Sequence, residues 1–156
     1  MQKKYDLITM GQLLLRLSPP GSERLMNCEM FEKQAGGAEL NVAVGASQLG
    51  LCTGIISKLP VNDIGIFVRN KIRSYGVGDE LLLYDNSKEA RMGIYFYEGG
   101  AFPKKPKVFY DRENSSFHSM TISEIPSGIY GQARCFHTTG ITLRSAGKYA
   151  VRQWRS

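Results

Sequence analysis

The sequence predicts an α/β domain whose sheet is mostly parallel and carries helices on its faces. Short apolar runs at residues 5–10, 52–58 and 81–84 indicate buried strands. Between them lie two segments, within residues 38–49 and 62–75, whose apolar residues recur at helical spacing. This alternation of strand and helix at short intervals is typical of a parallel sheet. With 156 residues, 42% of them hydrophobic, the chain is long enough for one domain with its own core.

The ends of both predicted helices are marked by residues that favour such positions. Gly50 follows the first helix, where a left-handed residue commonly ends the last turn. Asn62 or Asp63 can accept a hydrogen bond from the first turn of the second helix, and Gly76 follows its last turn. The apolar face of the second helix is predicted to consist of Ile64, Phe67, Val68 and Ile72.

Four extended segments are predicted outside this alternation. Residues 13–17 precede a Ser-Pro-Pro-Gly turn, and apolar and polar residues alternate at 26–30, as in a half-exposed strand. The aromatic-rich segments 92–98 and 107–112 are separated by a Gly-Gly pair and a Pro/Lys stretch. They are predicted to form an antiparallel hairpin that projects from the main sheet.

The last part of the chain predicts one more strand and the beginning of a helix. Residues 135–139 form a core-type strand leading to Gly140, and residues 146–155 have a helical pattern. An open α/β domain ordinarily continues through further strands, so we expect the sequence to be the first part of a larger fold.

Charge and hydropathy argue against two classes of partner. The 20 Lys and Arg against 14 Asp and Glu give a net charge of +6, but the basic residues are scattered rather than arranged in a stripe. Nucleic-acid binding is therefore the lowest-ranked function. Residues 1–12 lack the hydrophobic region of a signal peptide, and no apolar run approaches the length needed to span a bilayer. We expect a soluble, cytoplasmic protein without a membrane partner.

Metal binding is also not indicated. Cys28, Cys52 and Cys135 form no CxxC pair, and we expect them to be buried free thiols. His118 and His137 lack a second ligand at metal spacing, so ordinary structural roles are expected for both.

A pair of glycines at the start of the first helix is the most informative local feature. Gly36 and Gly37 would let a ligand approach the backbone, while the helix start offers free N–H groups. Asn41 lies on the first turn and can hydrogen-bond a hydroxyl. The alternative is a plain Gly-Gly turn before a helix, and the spacing alone leaves both open. The motifs GxGxxG, GxxxxGK[ST], GxSxG and HExxH do not occur.

Several segments, taken in order, resemble PfkB carbohydrate kinases of the ribokinase type, most closely 2-keto-3-deoxygluconate kinases. They are MGQLLLRLSPP at 10–20, GGAELNVA at 36–43, GIYF at 93–96, VFYDR at 108–112 and FHTTGIT at 136–142. The resemblance covers almost the whole chain. It implies a ribokinase-like fold with a Rossmann-type, mostly parallel sheet, flanked by helices, and a projecting β-sheet lid. Residues 1–156 would be the N-terminal part of one such domain, with lid strands at about 13–34 and 92–112.

The resemblance also implies substrate contacts for particular residues. In the family, two glycines and an Asn at the helix start hold the sugar, and a Tyr in one hairpin strand and a Tyr and an Arg in the other contact it. An Ile after the last strand borders the same pocket. The residues at these positions are Gly36, Gly37, Asn41, Tyr95, Tyr110, Arg112 and Ile141.

This sequence departs from the family at one substrate position. Where the family usually has Asp or Glu after the glycine of the first strand, it has Gln12. Gln12 can still hydrogen-bond a hydroxyl, although an amide oxygen is a weaker acceptor than a carboxylate. A sugar acid also carries a carboxylate, for which Arg112 is a natural partner.

The resemblance places no catalytic residue in this chain. The family binds ATP with Mg²⁺, mostly through a second half that the sequence lacks, so we expect this chain alone to bind a sugar without turnover. A complementing C-terminal half or a homodimer formed through the lid are the expected protein partners. The alternative function is a non-catalytic sugar-acid-binding or dimerisation module.

Overall fold

A computed structural model describes residues 3–142 of the chain, and the predicted helical segment 146–155 lies outside them. The strands are β1 Tyr5–Met10, β2 Leu14–Ser18, β3 Glu32–Gly36, β4 Thr53–Pro60, β5 Leu82–Asp85, β6 Gly93–Glu98, β7 Lys107–Asp111 and β8 Ala133–His137. The helices are α1 Ala38–Gln48 and α2 Asp63–Ser74, and short 3₁₀ turns occupy Ser116–Ser119, Ile122–Glu124 and Ile129–Gln132. No helix within residues 3–142 has the length and apolar character needed to cross a membrane.

The first sheet is parallel throughout and has the strand order β5-β4-β1-β8. Its neighbouring residues Ile55 and Ile56 are both buried and belong to two different core clusters. This is the pattern of a strand covered on both faces, which explains the continuous apolar runs in the sequence. The predicted parallel sheet with flanking helices is confirmed.

The second sheet has the order β3-β2-β6-β7, in which β2 and β6 are parallel and the other pairs are antiparallel. The predicted hairpin is therefore present as β6 and β7. Leu15 and Ile94 contribute one face of this sheet to the same core that α1 and α2 cover. The ammonium of Lys33 lies 4.4 Å from the centre of the Phe67 ring on α2, which further joins sheet and helix.

The strand predicted at residues 26–30 is wrong. These residues form turns, in which the Arg24 carbonyl accepts hydrogen bonds from the N–H groups of Asn27 and Cys28. Met26 is 81% exposed, so the apolar alternation does not mark a buried face. The strand that pairs with β2 is β3, which begins only at Glu32.

The expected burial of the cysteines is also wrong. Cys52 and Cys135 are exposed and Cys28 is half-buried, although all three are free thiols. Cys52 precedes β4, and Cys135 lies on β8, the last strand in the order of the described sheet. Both positions leave a side chain in contact with solvent.

The start of α2 provides the first prediction. Of the two candidate capping residues, Asn62 is the cap: its Oδ1 accepts a hydrogen bond from the Gly65 N–H at 3.0 Å. Replacing Asn62 by Ala should lower the free energy of unfolding by about 1 kcal/mol, because a backbone donor loses its partner. Urea denaturation measures the change. The matched control Asn70→Ala removes an exposed amide from the same helix and should cost less; equal losses would contradict the capping role.

Candidate functional site

The candidate site lies where the first sheet passes into the second. The segment after β1 leads through Gln12 into β2, and β3 ends at Gly36, immediately before α1. A methyl group added at Gly36 would lie 2.8 Å from atoms of the Tyr95 ring, and one at Gly37 would lie 2.9 Å from the carbonyl oxygen of Gln12. Gly37 also has a φ of 147°, which side-chain-bearing residues rarely adopt. Both glycines are therefore required by close approach within the protein itself.

Tyrosine rings and an arginine share one face of the second sheet. Tyr95 on β6 pairs directly with Tyr110 on β7, and their ring centres are 5.8 Å apart. The guanidinium carbon of Arg112 lies 5.6 Å from the centre of the Tyr110 ring. Tyr110 is 61% exposed, whereas Tyr95 is half-buried, and this burial raises the pKa of the Tyr95 hydroxyl. Tyr95 therefore stays protonated at neutral pH and can donate a hydrogen bond.

A second arginine lies on the same face but did not emerge from the sequence. Arg16 on β2 is the register partner of Tyr95, and its guanidinium carbon lies 4.4 Å from the centre of the Tyr97 ring. The strand alternation at residues 13–17 could have indicated that Arg16 faces away from the core, but not which residues it meets.

Gln12 is connected to Arg112 by a direct hydrogen bond. The Gln12 side chain is 6% exposed, and its Nε2 lies 3.2 Å from the Arg112 carbonyl oxygen and 2.8 Å from the Ser115 hydroxyl. Its Oε1 has no hydrogen-bond partner within residues 3–142. The structure thus brings together residues a hundred positions apart.

The end of β7 is held in place by Arg91. Its guanidinium forms an ion pair with the Asp111 carboxylate at 2.7 Å and donates to the carbonyl oxygens of Asp111 and Glu113. These contacts flank Arg112 on both sides along the chain. The position of Arg112 is therefore fixed by more than the β6–β7 ladder.

Glu39 was missed by the sequence analysis, although it organises the other side of the site. It is 3% exposed, and its Oε1 accepts hydrogen bonds from the Thr139 N–H at 3.1 Å, from the Thr139 hydroxyl at 2.6 Å and from the Thr142 hydroxyl. A methyl group at Gly11 would lie 2.1 Å from the Glu39 carboxyl carbon. One carboxylate therefore joins the end of β1, the start of α1 and the segment after β8.

The predicted site residues form one connected group with two outlying members. Contacts already described join Gln12, Gly36, Gly37, Tyr95, Tyr110 and Arg112. Asn41 is exposed on the first turn of α1, and Ile141 is exposed after β8. Asn41 lies near the group because α1 starts directly after Gly37. The segment that contains Ile141 is bonded to the Glu39 carboxylate through Thr139 and Thr142.

The sequence and the fold agree on the family. The model for pfkB family carbohydrate kinases matches residues 4–156, and the chain belongs to this family. The chain is 37% identical over 137 residues to a 2-dehydro-3-deoxygalactonokinase of Haloferax volcanii, covering 88% of this chain and 42% of that protein. It is 29% identical over 152 residues to a 5-dehydro-2-deoxygluconokinase of Listeria monocytogenes, covering 96% of this chain and 46% of that protein.

Solved structures show the same ribokinase-like fold. The 2-dehydro-3-deoxygluconokinase of Thermotoga maritima superimposes with a TM-score of 0.83 at 34% identity, covering 95% of this chain and 48% of that one. A sugar kinase of Pyrococcus horikoshii in complex with ATP gives a TM-score of 0.73 at 27% identity, covering 83% of this chain and 41% of that one. The chain thus spans about half the length of the proteins it matches.

PfkB kinases use ATP, and the Pyrococcus horikoshii structure is an ATP complex. Among residues 3–142, no three His, Cys, Asp or Glu side chains form a group that could hold a metal ion. Within residues 3–142, the candidate site provides a hydroxyl donor at Tyr95, an unpaired acceptor oxygen at Gln12 and the positive charge of Arg112.

The Glu39 contacts provide the second prediction. Glu39→Ala should lower the free energy of unfolding by about 2–4 kcal/mol, because the half-buried donors of Thr139 and the buried hydroxyl of Thr142 lose their acceptor. Glu39→Gln should cost less, since an amide oxygen can accept the same bonds. Urea denaturation of the chain measures both, with Glu32→Ala as a control for removing an exposed glutamate. A loss for Glu39→Ala no larger than that of the control would show that the buried network contributes nothing.

Proposed function

We propose that this chain is the sugar-binding part of an ATP-dependent sugar kinase whose substrate is a sugar acid such as 2-keto-3-deoxygluconate. The observation that carries the proposal is the connected group of Gln12, Tyr95, Tyr110 and Arg112 beside the glycine-bounded start of α1. This group contains an unpaired hydrogen-bond acceptor, which suits a ligand hydroxyl, and aromatic rings, which suit the carbon chain. Its cation suits the carboxylate of such a ligand.

The acidic character of the ligand follows from the charge on this face. Arg112 and Arg16 both lie on the face that carries Tyr95, and an arginine fork binds a carboxylate through two parallel hydrogen bonds. The names of the three most similar relatives described above refer to kinases of dehydro-deoxy sugar acids, which supports this substrate class.

In the proposed reaction, the second sheet is a lid over the sugar, and ATP with Mg²⁺ is bound mostly by residues outside those described. The described residues bind and orient the sugar through Gln12, Gly36, Gly37, Asn41, Tyr95, Tyr110, Arg112 and Ile141. Activity of the whole enzyme then requires a further part of the protein or a complementing chain. A non-catalytic sugar-acid-binding module would show the same binding but no turnover with any such partner.

The binding proposal predicts a selective effect of Arg112. In calorimetric titrations of the chain, 2-keto-3-deoxygluconate should bind more tightly than fructose or ribose. Arg112→Ala should weaken the acidic sugar roughly 10- to 100-fold, because a charge-assisted hydrogen bond is lost, but a neutral sugar only about threefold through lost packing on Tyr110.

Arg73→Ala is the matched control, since Arg73 is an exposed arginine on α2. It should leave both affinities unchanged. Equal losses for acidic and neutral sugars in Arg112→Ala would remove the carboxylate role.

We also propose that the second sheet forms a homodimer through the part of its Phe96 face that lies beyond the core contacts of Leu15 and Ile94. Side chains alternate along a strand, so Phe96 and its register partner Phe109 point away from the tyrosine face. Phe31 packs against Phe96 with ring centres 5.8 Å apart, and Phe109 is 56% exposed. β7 is also the last strand in the order of this sheet, and an unpaired strand edge favours association.

The dimer proposal predicts a mass of two chains by light scattering at micromolar concentration. Phe109→Glu should shift the chain to the monomer, because it introduces a charge into an apolar contact. Leu49→Glu changes an exposed apolar residue at the end of α1, remote in sequence and fold from this sheet, and should leave the dimer intact. A wild-type monomer would refute the proposal.

A further inference from the structure

The orientation of the Gln12 side-chain amide is determined by its neighbours. A backbone carbonyl can only accept a hydrogen bond, so the Gln12 group that lies 3.2 Å from the Arg112 carbonyl oxygen must be the NH₂. The opposite assignment would place two oxygens against each other. Gln12 Oε1 therefore points away from this contact.

Ser115 supplies a second and stronger constraint. Its hydroxyl oxygen lies 2.8 Å from Gln12 Nε2 and 3.0 Å from His118 Nδ1, and Ser115 is 4% exposed. Because Ser115 accepts from Gln12, its own hydrogen is available for His118, which accepts it only when Nδ1 carries no proton. Burial, together with the positive charge of Arg112, lowers the pKa of His118 and favours this neutral form.

The remaining atom of the amide, Gln12 Oε1, is buried and has no hydrogen-bond partner within residues 3–142. Leaving a buried acceptor unpaired costs about 1–3 kcal/mol. Rotating the amide would not relieve this cost, because Oε1 would then lie against the Arg112 carbonyl oxygen, which can only accept a hydrogen bond. The oxygen is therefore held as an acceptor that no group within residues 3–142 satisfies.

We propose that Ser115 is a positioning residue that holds Gln12 as an acceptor for one hydroxyl of the bound polyhydroxylated ligand. This role rests on the proposed function and adds to it a preference for ligands with a hydroxyl at one position. A ligand with a hydroxyl at this place satisfies Gln12 Oε1, whereas a ligand with a hydrogen there leaves a buried acceptor unpaired, and one with a carbonyl places two acceptors together. Gln12 thereby selects for a hydroxyl without carrying a charge.

The binding test compares 2-keto-3-deoxygluconate with analogues that each lack one hydroxyl, titrated calorimetrically into the 156-residue chain. One analogue should bind wild type at least about 10-fold more weakly than the parent compound. In Gln12→Ala this ratio should fall to about one. In Ser115→Ala it should fall at least about threefold, because the amide loses the shorter of its two contacts and is held only by the Arg112 carbonyl oxygen.

Ser119→Ala is the matched control. Ser119 is an exposed serine at the end of the 3₁₀ turn that follows Ser115, and its hydroxyl donates to the Ser116 carbonyl instead. It should preserve the ratio. Ser115→Cys is nearly isosteric with serine and should reduce the ratio in the same direction as Ser115→Ala. An unchanged ratio in either Ser115 variant that unfolds cooperatively would overturn the proposal.

A second readout needs no ligand. The side-chain amide signals of Gln12, identified in ¹⁵N-edited NMR spectra by their loss in Gln12→Ala, should exchange slowly with solvent in wild type. They should shift in Ser115→Ala but not in Ser119→Ala. Signals that do not respond to Ser115→Ala would overturn the positioning role.

The two readouts separate the two proposals. If no sugar binds wild type, the proposed function and the acceptor role both fail, whatever the NMR signals show. If the sugar binds but neither the hydroxyl selectivity nor the Gln12 signals depend on Ser115, the proposed function stands and the positioning role fails.

Discussion

The Glu39 carboxylate is the contact on which the geometry of the site depends. Charged groups are rarely buried without partners, and this one is satisfied by donors from Thr139 and Thr142. Because Glu39 lies on the first turn of α1 and against Gly11, it aligns the helix start with the carboxyl ends of β1 and β8. Gln12 directly follows Gly11 and belongs to the candidate site. An error in this alignment would therefore also displace Gln12 and the proposed ligand contacts.

Strand alternation alone separates the proposed ligand contacts of the second sheet from its apolar contacts. Tyr95 and Tyr110 pair on one face, while Phe96 and Phe109 pair on the other. A one-residue slip in the β6–β7 register would exchange both sets at once. Arg91 precedes β6 and forms an ion pair with Asp111, the last residue of β7, and this ion pair opposes such a slip. The same register therefore governs the proposed sugar contacts and the proposed dimer contacts.

Local features of the sequence predicted most of the fold. The parallel strands, the Asn62 cap and the β6–β7 hairpin follow from residues close together in the chain. The strand at 26–30 was wrong because alternation records residue type and not whether a core lies nearby, and Met26 has none beside it. Glu39 could not be predicted, since an acidic residue on a first helical turn ordinarily faces solvent, and its threonine partners are a hundred positions away.

Arg112 links the two kinds of recognition that the site combines. Its carbonyl oxygen orients the Gln12 amide, while its guanidinium lies over the Tyr110 ring on the face proposed to meet the ligand's carboxylate. A shift of the Arg112 backbone would displace both groups, and Arg91 holds the chain on both sides of it. The proposed hydroxyl selection at Gln12 and the proposed charge selection at Arg112 therefore depend on the same segment. The family's usual acidic residue at position 12 would present an oxygen to this carbonyl, so the glutamine is the side chain that fits the contact found here.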